Sequence, residues 1–190
     1  MSKKLIETPV SGEIVHEGLF FNVRRDQARL PDGRVAGREF VMHPGASAMV
    51  PLFDDGRILI ERQFRYPLKQ VFVEIPAGKI DPGESPLQTA QRELVEETGY
   101  RAGQWASLTN IHPAIGMADE IIYIYLCREL NPVEQQLDEG EFVELDTVTI
   151  GWLVDELRAG RLTDVKTQIA THWMEKILSG QWDWPEFKPA

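Results

Sequence analysis

Short stretches of alternating apolar and polar residues fill the first part of the chain and predict strands at 10–16, 18–30 and 34–43. Pro31-Asp32-Gly33 supplies the turn of a hairpin between the last two. A second hairpin is expected from 46–53 and 57–64 around Asp54-Asp55-Gly56, and 71–75 reads as a short strand entering a loop marked by Pro76, Gly78, Pro82 and Gly83. There the period changes. Leu87, Ala90 and Leu94 recur at helical spacing, Ser85 suits an N-cap, Pro86 the first helical position, and Gln88 the third place of a capping box. Gly99 is a natural stop, so a helix is predicted from Pro86 to Thr98. Strands follow at 103–111, 119–129 and 140–147; the second, DEIIYIYLCREL, is apolar enough to be central in a sheet. Helices at 149–159 and 164–179, separated by Gly160, complete the pattern. Strands, helix, strands, then helices predict an α/β (α+β) class.

A chain of 190 residues, 43% hydrophobic and 26% charged, is long enough for one substantial core. Its net charge of −10 argues against a general nucleic-acid partner or an anionic membrane surface, but allows a small phosphorylated substrate if cations bridge the two. No apolar run is long enough to span a membrane, and the start, MSKKLIETPVSGE, lacks the apolar core of a signal peptide. Cys127 is the only cysteine, which excludes an intrachain disulfide; lying in IIYIYLC it reads as a buried strand residue, and a cytoplasmic location is expected. The histidines show no zinc spacing.

Glu93, Glu96 and Glu97 fall within one helical turn and project from neighbouring parts of one face. Like charges that close repel, whereas hard divalent cations seek clustered oxygens; Mg²⁺ is commonly held by a few carboxylates together with substrate phosphates. The cluster therefore suggests a metal site for phosphate chemistry. Arg92 can pair with Glu96 across one turn and orient a ligand. An acidic solvated helix face is the plain alternative, but it leaves the glycine and arginine positions unexplained.

The segment GKIDPGESPLQTAQRELVEETGY resembles the Nudix hydrolase signature: Gly78, Glu84, Arg92, Glu93, Leu94, Glu96, Glu97 and Gly99 occupy its fixed positions, and Tyr100 its final apolar one. The resemblance implies a mixed β-sheet sandwiched between helices, with an N-terminal antiparallel β extension. Glu61-Arg62-Gln63-Phe64-Arg65 and Glu74-Ile75-Pro76-Ala77-Gly78 look like elements of the ADP-ribose pyrophosphatase branch. That likeness implies an N-terminal β segment, residues 1–45, that helps form a homodimer, and a Nudix hydrolase domain at 46–190. It also implies metal-assisted hydrolysis of a diphosphate linkage, with ADP-ribose cleaved to AMP and ribose 5-phosphate. Glu93, Glu96, Glu97 and the backbone carbonyl of Ala77 would hold Mg²⁺, with Mn²⁺ or Zn²⁺ as alternatives and Glu84 joining through water. Arg92 would orient the glutamates. Glu139 in the acidic loop Asp138–Glu141 is the candidate base, with Glu141 and Glu120 as competitors; Arg65, Phe21, Pro113 and Glu120 are candidate substrate contacts.

Each has a bland counterpart. Arg65 can be a strand-end charge, Phe20 and Phe21 core residues, and Glu139 an ordinary loop carboxylate. Two other functions compete: hydrolysis of a related nucleoside diphosphate sugar such as GDP-mannose, and a non-catalytic Nudix module that senses ADP-ribose-like ligands. A DNA-binding appendage is not expected, since no basic helix follows.

Overall fold

The computed structural model describes residues 3–190; residues 1 and 2 of the expected N-terminal segment lie outside the described residues. The expected N-terminal strands form a sheet of their own, ordered β1 (Thr8–Glu17), β2 (Asn22–Arg29) and β3 (Val35–Met42), antiparallel throughout. The turn after Leu30 closes as expected: Leu30 N–H donates to Arg34 O at 2.8 Å, and Gly33 takes the left-handed conformation. The strand expected from residue 18 starts only at Asn22, because Gly18 N–H turns back to Phe21 O at 3.0 Å. His112–Ile121 clusters with this sheet in one compact unit; Val41 bridges Ala118, and the Asp119 carboxylate accepts from His43 N–H at 2.8 Å.

The second unit comprises Ala46–Ile111 and Ile122–Ala190. Its strands are β4 (Ala46–Pro51), β5 (Ile58–Arg65), β6 (Gln70–Glu74), β7 (Ala77–Lys79), β8 (Tyr100–Ile111), β9 (Ile122–Pro132), β10 (Val143–Val148) and β11 (Lys188–Pro189). Five of them make a mixed sheet ordered β11-β8-β9-β4-β7, in which β4 and β9 run parallel; β10-β5-β6 is a separate antiparallel sheet.

The expected hairpin of 46–53 with 57–64 does not form as such. Its turn closes, with Phe53 N–H on Arg57 O at 2.9 Å, but only Leu52 and Ile58 then bridge. Every residue of β4 is buried, so both its edges are taken inside the mixed sheet by β9 and β7, and β5 departs to the other sheet.

Side-chain alternation builds the sandwich. Ala46, Ala48 and Val50 of β4, with Ile122, Ile124 and Leu126 of β9, face a core closed by Leu153, Ala170, Met174 and Ile177. The last four belong to helices α2 (Ile150–Arg158) and α3 (Val165–Leu178). Met49 and Cys127 face the other way and meet Ala90 and Leu94 of helix α1 (Pro86–Thr98), together with Trp105. Cys127 is fully buried, and burial pushes its thiol well above the ordinary range. Helix α1 has the predicted bounds. Ser85 and Gln88 form the capping box, and Gly99 caps the C-terminus with φ 68°. Among the described residues no helix is long and apolar enough to cross a membrane.

Candidate active site

Helix α1 points its acidic face at the loop that precedes it. The Arg92 guanidinium sits at the centre of that face. It donates to both oxygens of Glu84 at 2.9 and 3.0 Å, to Glu93 Oε1 at 2.8 Å, to Glu96 Oε2 at 2.8 Å and to the carbonyl of Lys79 at 3.2 Å. Only a planar fork with five N–H groups serves so many acceptors. Glu84 also accepts from Thr89 Oγ1 at 2.7 Å; Arg92 and then Thr89 hold its carboxyl down to about 2.

Glu93 and Glu97 differ from Glu84 because they are withdrawn from water. Burial pushes Glu93 up to about 7 against the pull of Arg92. Glu97, 2% exposed, is raised well above its ordinary value, first by burial and then by repulsion from Glu61, Glu93 and Glu141. The Ala77 N–H donates to Glu97 Oε2 at 3.0 Å. The observed contribution of Ala77 is thus its amide, which aims Glu97. Glu96 stays partly exposed at the edge of the cluster.

Two further carboxylates reach this group from outside α1. Glu141 accepts from Gln63 Nε2 at 3.2 Å and repels Glu61, Glu93 and Glu97. Glu139 lies exposed on the turn that Glu141 N–H closes onto Asp138 O at 3.0 Å. Of the acidic-loop candidates the structure therefore brings Glu141 to the cluster and leaves Glu139 in solvent. Glu61, to which sequence reasoning assigned no role, is fully buried on β5, and neither of its oxygens has a hydrogen-bond partner among the described residues. Burial pushes it to about 7, with Lys166 opposing. The signal for it was a glutamate directly after Ile58-Leu59-Ile60, on a strand buried on both faces. Among the described residues, no three acidic, histidine or cysteine side chains are drawn together tightly enough to enclose an ion. Arg92 meanwhile occupies Glu84, Glu93 and Glu96.

The remaining candidates sit elsewhere. Arg65 makes a two-pronged pair with Glu74, both contacts at 2.7 Å, and Lys166 reaches the same carboxylate. Burial pushes Glu74 up, but the Arg65 hydrogen bonds and the Lys166 charge outweigh it and hold the carboxyl below its ordinary value. Phe21, Pro113 and Glu120 belong to the first unit. Phe21 is half-buried beneath exposed Phe20, their rings edge-on at 5.0 Å. Pro113 is half-buried, and Glu120 approaches His43 Nδ1 at 3.7 Å.

The chain is similar to known proteins along most of its length. Residues 42–168 match the NUDIX domain, and residues 7–41 match the nucleoside diphosphate sugar hydrolase N-terminal domain. An ADP-ribose pyrophosphatase of Bacillus subtilis is 39% identical over 91% of this chain and 95% of its own length. A methanol dehydrogenase activator of Bacillus methanolicus is 38% identical over 92% of this chain and 96% of its own. The crystal structure of an ADP compounds hydrolase shares the fold at TM-score 0.82, with 24% identity, covering 95% of this chain and 98% of that one. The signature residues stand on one loop and one helix, arranged around Arg92, and a family model spans most of the chain: the protein belongs to the Nudix hydrolase family.

Proposed function

We propose that this chain hydrolyses the diphosphate of ADP-ribose to AMP and ribose 5-phosphate, with Mg²⁺ as its working ion. The observation that carries the reading is the desolvated pair Glu93 and Glu97, one carboxylate held by Arg92 and the other by the Ala77 amide. Nudix hydrolases generally work with a divalent metal. The residues present fit one. The donors are hard oxygens, the buried carboxylates repel one another, and the oxygens of Glu61 accept no hydrogen bond among the described residues. Glu93, Glu96 and Glu97 would hold the ion, with the carbonyl of Ala77 as a further donor.

A bound divalent ion supplies charge neutralisation on the two phosphates and polarises phosphorus for attack. The chain's own part is positional. Arg92 keeps Glu93 and Glu96 aimed by charge-assisted hydrogen bonds, while Glu84 stays ionised to anchor Arg92 in turn. Glu141, steadied by Gln63, is our choice for the base that takes the proton of the attacking water, ahead of Glu139. Arg65, Phe21, Pro113 and Glu120 are proposed nucleotide contacts on the strength of the resemblance.

ADP-ribose is preferred because the Bacillus subtilis relative bears that activity in its name and matches over nearly the full length of both chains. A homodimer belongs to the same reading: all ten residues of edge strand β1 are exposed, Val10, Ile14 and Val15 among them, and an open strand edge is a template for a second chain. So does a cytoplasmic setting, which the buried, unpaired Cys127 supports.

The test is to incubate the purified protein with ADP-ribose, GDP-mannose, dinucleotides and nucleoside triphosphates, each with Mg²⁺, Mn²⁺ or Zn²⁺, and to identify products by mass. AMP and ribose 5-phosphate as the fastest products support the reading; preference for triphosphates or GDP-mannose sinks it. The methanol dehydrogenase activator relative keeps a second reading open, a module that acts on a partner protein. Tight ADP-ribose binding with no products under any of the three ions would favour it.

A further inference from the structure

Glu61 is fully buried in the middle of β5, where its register partners are Leu145 of β10 and Glu74 of β6. Two positive groups stand near it, Lys166 and Arg65, but both are spent on Glu74, and Lys166 also reaches Asp164 at 3.1 Å. Neither Glu61 oxygen accepts a hydrogen bond among the described residues. Its other charged neighbours are Glu97 and Glu141, both negative. Two residues on, and so on the same face of β5, Gln63 holds Glu141 with its amide nitrogen and leaves its own oxygen buried without a hydrogen-bond partner among the described residues. A carboxylate so placed is strongly unfavourable for the fold alone, and a stability-driven sequence replaces it with an apolar residue.

We propose that Glu61 is a further cation-holding residue of this Nudix site, so that the ion-binding set extends from α1 onto β5. This rests on the metal-dependent hydrolysis proposed above. It assigns to Glu61 a role that the spacing on α1 does not carry, and it accounts for two carboxylates from outside α1, Glu61 and Glu141, that both repel Glu97.

The test is Mn²⁺ binding, followed by electron paramagnetic resonance of the free ion, together with thermal unfolding in EDTA and in Mg²⁺. Glu61→Gln, which keeps the shape and removes the charge, is expected to be at least as stable as the parent without metal, and to bind Mn²⁺ about 10- to 100-fold more weakly. Glu61→Asp keeps the charge one methylene further back and is expected to fall between the two, which preserves the test if the glutamine variant fails to fold. Unchanged Mn²⁺ affinity in a folded variant overturns the proposal. So does a glutamine variant destabilised in EDTA with normal ion affinity, since Glu61 then serves the Arg65–Glu74–Lys166 network instead. A parent protein that takes up no Mn²⁺ overturns the metal reading itself, an outcome distinct from failure of Glu61 alone.

Discussion

The Glu93 carboxylate lies directly against the α-carbon of Gly78: a β-carbon built there would stand 1.8 Å from Oε1 and 1.9 Å from the carboxyl carbon. Gly78 is not among the residues with positive φ, so close approach, not backbone conformation, demands glycine. Gly78→Ala should therefore displace the flexible end of Glu93 and leave the chain folded. The expected outcome is a melting temperature close to the parent's and a turnover lower by about 10²-fold, the scale set by an ångström of misplacement in a catalytic group. Melting curves and steady-state kinetics on the same sample check it, and parental turnover in the alanine variant contradicts it.

Glu97→Gln tests the other half of the pair. A glutamine oxygen can still accept from the Ala77 N–H, so the local hydrogen bond survives while the buried charge is gone. The metal-free variant is expected to be as stable as the parent or more so, and turnover to fall by orders of magnitude. The Mg²⁺-induced rise in melting temperature should shrink too, because an ion that binds only the folded state stabilises it by an amount that grows with the logarithm of its affinity. Near-normal turnover at saturating Mg²⁺ would refute Glu97 as a ligand.

How much of this was legible in the sequence depended on whether the controlling forces were local. The bounds of α1 were readable because Ser85, Pro86, Gln88 and Gly99 act within a few residues of themselves. The pairing of β4 was not. Its turn at Asp54-Asp55-Gly56 gave a correct local signal, but β9, some seventy residues away, competes for the same edge, and burial on both faces decides for β9. Strand β11 pairs only Lys188 and Pro189 with β8, too short to leave a period.

The same division runs through the site. Arg92, Glu93 and Glu97 are set by spacing on one helix and could be read. Glu61 and Glu141 come from β5 and from the turn before β10, and only the antiparallel pairing of those strands, Gln63 opposite Val143, brings them to the cluster. Arg65 was read as a substrate contact from its motif; its partner Glu74 sits on the neighbouring strand, where register sets Arg65 against Gln70 and Glu61 against Glu74.

Arg92→Lys separates charge from geometry. An ammonium keeps the charge but has three donors and no plane, so it cannot grip both oxygens of Glu84 while restraining Glu93 and Glu96. The variant is expected to fold, to bind Mn²⁺ roughly 10- to 100-fold more weakly and to lose turnover in parallel, as for other groups that orient ligands. Retained affinity measured by the same titration would show that charge alone suffices.

The raised carboxyls give metal-free stability a definite dependence on pH. Burial pushes Glu61 and Glu93 up to about 7 in the fold from an ordinary value of 4.5, so between those values the folded state binds more protons than the unfolded one. Stability therefore falls as pH rises through that window, and Glu97, raised in the same direction, adds to the fall. Glu84 works oppositely. Held at about 2 by Arg92, it contributes stability above 4.5 that is lost as pH drops from there towards 2. In EDTA the melting temperature at pH 5.5 is thus expected to exceed that at pH 8. Saturating Mg²⁺ should lessen the decline, because the ion favours the ionised carboxylates that burial disfavours. A Glu61→Gln, Glu93→Gln double variant should make the decline shallower without metal, with Glu97 left to carry the remainder. A parent protein in EDTA whose melting temperature holds level from pH 5.5 to 8 would mean that these carboxylates are not desolvated as the structure places them, and the strain that a cation relieves would be absent.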